Sequence, residues 1–397
     1  MTHHWTTICY ACGTTGPAEA KRCACGEPVW FDTSELTTSA VAGGTHPNMW
    51  QYADTLPVDP PDDLRLAAGG TPLYRARQLD AYTGCEIWLK DETENPTGSF
   101  KDRGTAVGVT AAIARGRRAI ATVSHGNMAM STAALSTAAG YESVLFVPAD
   151  ISETRLALLD QYGPDIVRVD GDYGRLYHDV LELGADLDIE VVNSDTPLRV
   201  AGQKTIAYEI CAAFSGGCPD GIVLPVSSGG QASAIWKGLR ELHAAGRISD
   251  VPSLYLVQAA ACDPIARAYE AGTAVEPLSN PEETIAYSIA NADPPSGNRA
   301  LAAVADTGGA SISVSDAAIT AAQRRVAVEA GLCVESSSAA AIAGLRAVSK
   351  EGAIDSTDEI AVIMTGSGFK EFAGEPSQSA PVVPLSELRQ WVASVVA

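Results

Sequence analysis

Lys101 is the residue of this sequence best suited to covalent chemistry. An apolar stretch at residues 87–89 predicts a strand, and a turn rich in proline and glycine separates it from the lysine. The spacing of Val107, Ala111 and Ala114 predicts a helix that begins at Lys101 and buries one face. An amine held at a helix N-terminus beside an arginine loses its proton more easily than a free lysine, and Schiff-base chemistry requires an unprotonated amine. The alternative is an ordinary solvated lysine.

Three other segments place glycine and polar residues where a strand is predicted to end. They cover residues 124–127, 226–231 and 365–368. In the first two segments, backbone amides at a junction between a strand and a helix can bind anions; in the second, glycine also lets the backbone approach a phosphate and serine adds a hydroxyl donor. The alternative for each segment is an ordinary turn, in which glycine and asparagine are common.

Four of the nine cysteines lie close together near the N-terminus, as Cys9 and Cys12 and as Cys23 and Cys25. A glycine follows each pair, which suits a tight turn that directs backbone amides toward thiolate sulfur. Four thiolates can close a tetrahedral structural zinc site, although the second pair has one intervening residue where the strong pattern has two. The alternative is a ribbon of reduced cysteines without metal. The scattered cysteines are predicted to be core or surface thiols, at Cys85, Cys211, Cys218, Cys262 and Cys333.

The rest of the chain alternates strands and helices, which predicts parallel sheets covered by helices. Strands are predicted at 119–123, 144–147, 166–169 and 190–192, with helices at 128–139, 153–162 and 176–187. Strands for a second sheet are predicted at 222–226, 254–257, 311–314 and 360–364, with helices at 232–242 and 385–396. The expected fold class is α/β, with two doubly wound parallel-sheet domains and a ligand site at the carboxyl ends of the strands.

Charge and hydropathy restrict the classes of partner. The formal net charge of −21 argues against a nucleic-acid partner. The sequence contains no run of eighteen apolar residues, so no membrane span is predicted. The first residues lack a signal-peptide pattern, so we expect a cytoplasmic protein without a membrane partner. The chain has seven lysines, twenty arginines and 48 aspartates and glutamates. This composition resembles that of proteins from high-salt cytoplasms; the alternative is a merely acidic protein.

The run from Lys90 to Gly104, which contains Ser-Phe-Lys-Asp-Arg, resembles the pyridoxal-phosphate (PLP) lysine motif of fold-type-II enzymes. Among these enzymes it is most similar to the threonine synthases, and segments along nearly the whole chain share the similarity. The resemblance implies a tryptophan synthase β-like fold. It also implies a zinc-ribbon-like segment at 1–35, a large PLP-binding domain at 36–118 and 211–397, and a smaller mobile domain at 119–210.

The resemblance assigns a role to each segment. Lys101 forms the Schiff base with PLP and is the catalytic residue, Asn127 contacts the phenolic oxygen, and Thr365 contacts the pyridine nitrogen. The cofactor-binding set is Phe100, Lys101, Asn127, Val226, Ser227, Ser228, Gly229, Gly230, Gln231 and Thr365. The substrate-binding set is Ser99, Ser124, His125, Gly126, Asn193 and Arg199, where Ser99, Asn193 and Arg199 hold a substrate phosphate. His125 departs from the family pattern, and either narrows the pocket or acts as a second acid/base.

The implied reaction converts O-phospho-L-homoserine and water to L-threonine and phosphate. Two other type-II reactions remain open, namely threonine/serine dehydration and a β-replacement like that of cysteate synthase. A non-catalytic PLP-binding paralogue is a third alternative. The implied partner is a small amino-acid substrate, and relatives of this kind are commonly homodimers.

Overall fold

A computed structural model of the chain describes residues 5–61, 67–171, 173–371 and 382–395. Its thirteen strands are β1 (Thr6–Cys9), β2 (Thr15–Pro17), β3 (Val29–Phe31), β4 (Leu73–Arg75), β5 (Glu86–Asp91), β6 (Ala119–Val123), β7 (Ser143–Pro148), β8 (Asp165–Val169), β9 (Ile189–Val191), β10 (Gly221–Pro225), β11 (Ser253–Ala259), β12 (Ala310–Val314) and β13 (Glu359–Met364).

Most of the helices cover the faces of these sheets. In chain order they are α1 (Asp80–Thr83), α2 (Lys101–Ala114), α3 (Asn127–Ala138), α4 (Glu153–Asp160), α5 (Tyr173–Asp186), α6 (Pro197–Gln203), α7 (Thr205–Ala213), α8 (Gly230–Ala244), α9 (Pro264–Ala271), α10 (Gly297–Thr307), α11 (Asp316–Arg325), α12 (Ser336–Lys350) and α13 (Leu388–Val395).

The larger sheet has six strands in the order β12-β11-β10-β13-β5-β4. Its strands run parallel except β4, which pairs antiparallel with β5 at one edge. Every residue of β10 is buried, as expected for a parallel strand covered on both faces by helices. Strand β13, the last strand within the described residues, lies at the centre of the sheet between β10 and β5.

The smaller sheet has four parallel strands in the order β8-β7-β6-β9. Helix α2 joins the two sheets, since it begins after β5 and ends before β6. Glycines let α2 approach its neighbours closely: a Cβ at Gly104 would lie 3.0 Å from the Cα of Arg199, and one at Gly108 would lie 2.7 Å from Val192. The two sheets are thus connected through a tightly packed helix that starts with Lys101.

The N-terminal segment forms a separate antiparallel sheet in the order β2-β1-β3. Trp30 of β3 packs against Trp236 of α8, with ring centroids 5.2 Å apart. The side chain of Lys237 donates a hydrogen bond to the hydroxyl of Thr33 at 2.8 Å. This sheet is therefore attached to the helix that follows β10.

The predicted strands and helices from residue 87 to residue 364 are confirmed, with bounds that move by a few residues. Strand β4 was not predicted, because three residues carry too little pattern to be distinguished from a loop. The predicted helix at 385–396 is observed as a short 3₁₀ turn at Leu385–Glu387 followed by α13, and its last residue lies outside the described part.

Two predictions from the sequence are wrong. Cys211 and Cys218 are not thiols, because they form a disulfide at the end of α7. Helix α2 does not bury a single face: Ala114 is exposed, whereas Asp102 through Val109 are all buried. The reason is that α2 lies between α3 and α6, so that it is covered on nearly every side near its start.

Candidate active site

The residues before Lys101 are joined to the residues that follow β13. The amide of Phe100 donates to the carbonyl oxygen of Thr365 at 3.0 Å, and the amide of Ser367 donates to the carbonyl oxygen of Gly98 at 2.8 Å. Because β5 and β13 are neighbouring parallel strands, their carboxyl ends deliver both segments to the same edge of the sheet. The lysine and Thr365 are therefore placed in one site although they are far apart in the sequence.

The amine of Lys101 lies in an environment that disfavours its charged form. Burial among protein atoms, assisted by the positive charge of Arg199, lowers its pKa to about 7, and the carboxyl group of Glu335 acts in the opposite direction. The Nζ atom lies 4.4 Å from the centroid of the Phe100 ring. A large fraction of this amine is consequently unprotonated near neutral pH.

Lys101 lines a cavity of about 780 Å³ at the carboxyl ends of strands from both large and small sheets. Most of the predicted site residues also line it, namely Phe100, Ser124, His125, Gly126, Asn127, Asn193, Val226, Ser227, Ser228, Gly229, Gly230, Gln231 and Thr365. Ser99 and Arg199 are absent from the lining. The structure thus brings four of the sequence segments together around one lysine.

The turn before α8 is built so that glycine is required at two successive positions. Gly229 has a φ of +82°, and a Cβ there would collide with the carbonyl oxygen of Ser296. A Cβ at Gly230 would collide with the carbonyl oxygen of Ser194. The turn is therefore held between two loops. Helix α8 begins at the cavity, so the unpaired backbone amides of its first turn are available there.

Glu335, for which the sequence predicts no role, also lines the cavity. Glu335 is buried, and its two oxygens accept hydrogen bonds from the side chains of Asn127 at 2.7 Å and Thr365 at 3.2 Å. Burial and the nearby charge of Glu371 raise the pKa of Glu335. Lys370 donates to the other end of the Asn127 amide at 2.6 Å. Asn127 is thus oriented by a donor and an acceptor together.

The profile of the pyridoxal-phosphate dependent enzyme family matches residues 64–366. The chain belongs to this family. Threonine synthase from Methanocaldococcus jannaschii is 38% identical to this PLP-dependent enzyme over 327 residues, which cover 81% of the chain and 80% of the relative. Threonine synthase from Mycobacterium tuberculosis is 39% identical over 323 residues, which cover 81% of the chain and 87% of the relative.

Solved structures share the fold of this PLP-dependent enzyme. Maize serine racemase superposes with a TM-score of 0.64 at 21% identity, over 82% of this chain and 92% of the racemase. A fungal L-serine ammonia-lyase from Rhizomucor miehei has a TM-score of 0.64 at 24% identity, over 75% of this chain and 93% of the lyase. At these identities the similarity establishes the architecture, which confirms the predicted fold-type-II α/β class.

The cavity offers the donors that PLP requires. The Nε2 atom of Gln231 is buried and has no acceptor within the described part of the chain, and it lies in the first turn of α8 where a phosphate would accept from it. The glycine turn leaves the backbone amides free of Cβ obstruction at the same place. Together with the amine of Lys101, whose pKa is lowered to about 7, these groups fit a phosphorylated aldehyde.

Ser99 and Arg199 lie behind Lys101 in this PLP-dependent enzyme. Arg199 donates to the hydroxyl of Thr105 at 2.7 Å and to the carbonyl oxygen of Lys101 at 3.1 Å. Its Nε and the Oγ of Ser99 are buried, without a hydrogen-bond partner among the described residues. Both side chains therefore retain hydrogen-bonding capacity, but neither contacts the cavity in this conformation.

Asn193 and His125 reach the cavity from the smaller sheet. The Oδ1 of Asn193 accepts from the hydroxyl of Thr122 at 2.9 Å and from the amide of Val123 at 3.0 Å, so this side chain ties β6 to the residues after β9. Burial and the charge of Arg155 lower the pKa of His125, against the opposing charge of Asp150. The imidazole is consequently disposed to be neutral at physiological pH.

The four N-terminal cysteines are brought together by the turns that follow β1 and precede β3. Their sulfur atoms all lie within 4.8 Å of one another, and the closest pairs, Cys9–Cys25 and Cys12–Cys23, are each separated by 3.6 Å. A tetrahedral zinc ion with bonds of about 2.3 Å would hold its sulfur ligands roughly 3.8 Å apart. The geometry of the cluster fits a structural zinc ion.

Proposed function

We propose that this PLP-dependent enzyme is a threonine synthase, which converts O-phospho-L-homoserine and water to L-threonine and phosphate. The observation that carries the proposal is the set of relatives named threonine synthase, which are 32–39% identical over 81–82% of this chain. The matched family profile, at residues 64–366, spans the cavity residues that follow the strands of both sheets. An intact set of Lys101, Asn127 and Thr365 in the cavity argues against a non-catalytic paralogue.

PLP, when bound, supplies an electron sink that acidifies the carbon-bound protons of an amino acid. Lys101 accepts and returns protons at Cα, Cβ and Cγ; its pKa of about 7 and its position on the cavity lining support this role. Loss of phosphate from Cγ and addition of water at Cβ complete a balanced conversion to threonine. Asn127 and Thr365, which donate to different oxygens of Glu335, would hold the cofactor.

The remaining roles follow the two sets inferred from the sequence. The cofactor phosphate is held by residues 226–231, and the substrate carboxylate by Ser124, His125 and Gly126, which line the cavity. The substrate phosphate is held by Asn193, Arg199 and Ser99. Because the two Nη atoms of Arg199 donate to Thr105 and to the backbone of Lys101, its contact with a substrate phosphate in the cavity would be favoured by a shift of α6 toward the cavity.

Such a shift agrees with the proposed division into domains, in which residues 119–210 move relative to 36–118 and 211–397.

The proposal also includes a structural zinc ion on Cys9, Cys12, Cys23 and Cys25, for which the sulfur geometry is suitable. No helix within the described ranges has the length and apolarity needed to cross a bilayer. A cytoplasmic homodimer completes the proposal; light scattering of the purified protein tests the dimer.

The decisive experiment measures which product is released from which substrate. We expect phosphate release from O-phospho-L-homoserine, with threonine formed in equal amount, and no turnover by Lys101→Ala. Ammonia release from threonine without phosphate release from phosphohomoserine would assign a dehydratase. Phosphate release from phosphoserine with sulfite would assign the β-replacement reaction, and turnover by Lys101→Ala would contradict the catalytic role of the lysine.

A further inference from the structure

The cysteine-rich segment reaches the mouth of the cavity through Arg22, which immediately precedes the ligand pair that begins with Cys23. The Nη2 atom of Arg22 forms an ion pair with Asp195 at 3.0 Å and donates to the carbonyl oxygen of Pro295 at 3.3 Å. Its Nη1 atom donates to the carbonyl oxygen of Gly26 at 3.0 Å, within the second cysteine turn. One side chain thus joins the cysteine turn to two loops of the catalytic region.

Asp195, which receives Arg22, is a buried junction for several elements. Its other carboxylate oxygen accepts from the hydroxyl of Tyr177 in α5 at 2.6 Å. Arg299 of α10, also buried, donates to the carbonyl oxygen of Asp195 at 3.4 Å, to the hydroxyl of Ser296 at 2.9 Å and to the carbonyl oxygen of Val29 in β3 at 3.2 Å. Asp195 is therefore bonded to the N-terminal segment and to α5 through its carboxylate, and to α10 through its backbone carbonyl oxygen.

The two loops contacted by Arg22 are the loops that hold the glycine turn. The carbonyl oxygen of Ser194 touches Gly230, and the carbonyl oxygen of Ser296 touches Gly229. The amide of Ser296 also donates to the carbonyl oxygen of Ser228 at 2.9 Å. A displacement of either loop therefore changes the turn that faces the cofactor phosphate.

A metal ion on the cysteines would fix the start of this chain of contacts. The amide of Gly26 donates to the carbonyl oxygen of Cys23 at 2.9 Å, so the turn that anchors Arg22 is the turn that presents Cys23 and Cys25. Metal binding by thiolates holds such a turn in a single conformation. The positions of the Arg22 backbone and of its Gly26 acceptor then depend directly on the metal.

We propose that Arg22 is a positioning residue that couples metal occupancy of the four-cysteine site to PLP binding in the cavity. The route runs from the cysteine turn through Arg22 to Asp195 and Pro295, and from their loops to Gly229 and Gly230. A coupling of this kind is reciprocal, because each ligand changes the affinity for the other by the same factor. The inference concerns the cofactor and the metal, so it holds whichever amino acid is the substrate.

The test measures equilibrium PLP binding to the full chain with Zn²⁺ bound and after Zn²⁺ is removed by a chelator. For the wild-type protein we expect removal of zinc to raise the Kd for PLP by at least about fivefold, and PLP to lower the Kd for Zn²⁺ by the same factor. In Arg22→Ala, the ratio of the PLP Kd without zinc to that with zinc should fall close to one, and so should the ratio of the Zn²⁺ Kd without PLP to that with PLP. Arg22→Lys retains a charge for Asp195 but loses the planar fork, and should give an intermediate ratio.

The matched control is Arg325→Ala, which removes an arginine that pairs with Glu329 on an exposed helix face, and it should keep the full ratio. Circular dichroism and zinc content establish that each variant is folded. If Arg22→Ala does not fold, Asp195→Asn removes the same ion pair from the other side.

A wild-type protein that takes up no Zn²⁺, or binds PLP equally with and without it, would overturn the proposal. Full coupling retained by the folded Arg22→Ala variant, or by Asp195→Asn in its place, would also overturn it, since zinc would then act only through folding of the N-terminal sheet.

Discussion

The amine of Lys101 is influenced by charges of opposite sign. Arg199 lies on the helix packed against α2 and favours the neutral amine, whereas the carboxyl group of Glu335 favours the ammonium form. Burial is the largest influence, and it sets the direction of the shift. The proton affinity of the lysine is therefore adjustable through residues that do not themselves react.

The first prediction concerns the pH at which PLP becomes attached to the protein. Only the neutral amine reacts, so the rate of attachment should rise with pH, with its midpoint near the Lys101 pKa of about 7 and a plateau above it. An unperturbed lysine would need a pH near 10.4. Stopped-flow absorbance after mixing apo-protein with PLP measures the rate. Lys101→Arg is the control, because a guanidinium stays protonated, and a midpoint near pH 10 for the wild type would contradict the prediction.

Glu335→Gln should move this midpoint to lower pH, since it removes the negative charge that stabilises the ammonium form of Lys101. It also leaves the donors of Asn127 and Thr365 facing an amide, which we expect to cost about 1–3 kcal/mol in the free energy of unfolding. The same stopped-flow profile and a urea titration measure the two effects.

Glu371→Gln provides a control of opposite sign for this experiment. The charge of Glu371 raises the pKa of Glu335, so its removal makes Glu335 more fully ionised and should move the Lys101 midpoint upward. Shifts of both variants in the same direction would show that the charge of Glu335 does not act on the lysine.

At the residue scale, the sequence predicts chemistry that is local and misses contacts that are not. Lys101 and the glycine turns are recognisable because the turn, the helix start and the reactive group are adjacent in the chain. Glu335 precedes α12 without a distinctive pattern, and its role depends on Asn127 and Thr365, which come from other segments. The pairing of Arg22 with Asp195 is hidden for the same reason.

At the scale of elements, the turn before α8 is confined more strictly than the other predicted anion-binding turn of the cavity. Gly126 could accept a Cβ without contact, whereas Gly229 and Gly230 are enclosed by neighbouring loops. An ordinary turn is therefore a poorer explanation for the glycines at 229–230 than for the glycine at 126. The sequence alone does not distinguish them, because a glycine looks the same whether its surroundings are open or closed.

Gly230→Ala should weaken PLP binding, because the new methyl group collides with the carbonyl oxygen of Ser194. Overpacking of this kind costs about 1–3 kcal/mol, which corresponds to a Kd for PLP raised roughly 5- to 150-fold if the bound turn carries the cost. Gly216→Ala is the matched control, since a Cβ there meets nothing within 4 Å. Fluorescence titration with PLP measures both; an unchanged Kd for Gly230→Ala would show that the turn does not hold the cofactor.

The alternation of strands and helices makes the two sheets predictable, since each of their parallel strands is apolar enough to be recognised alone. The order of strands within a sheet was not predictable from that pattern. The placement of β13 between β10 and β5, and the antiparallel β4 at the edge, depend on which faces pack together rather than on local periodicity.

At the scale of the whole molecule, a formal net charge of −21 should make stability depend on salt. Repulsion among surface carboxylates destabilises the folded state, and salt screens it over a distance of about 10 Å at 0.1 M and about 3 Å at 1 M. We expect the melting temperature to rise with KCl, mostly below about 1 M. Calorimetry at increasing KCl measures this; a rise that begins only above 1 M would indicate solvent exclusion instead of screening, and a fall would contradict the prediction.

The central position of β13 has a consequence for how the protein is made. A nascent chain that has emerged only as far as α12 contains β5 and β10 but not the strand that hydrogen-bonds to both of them. The backbone of Thr365, to which the Phe100 amide donates, is synthesised after every other cavity segment. The cavity is therefore complete only after Thr365 has been synthesised, and chains that stall before this residue lack part of the proposed PLP site.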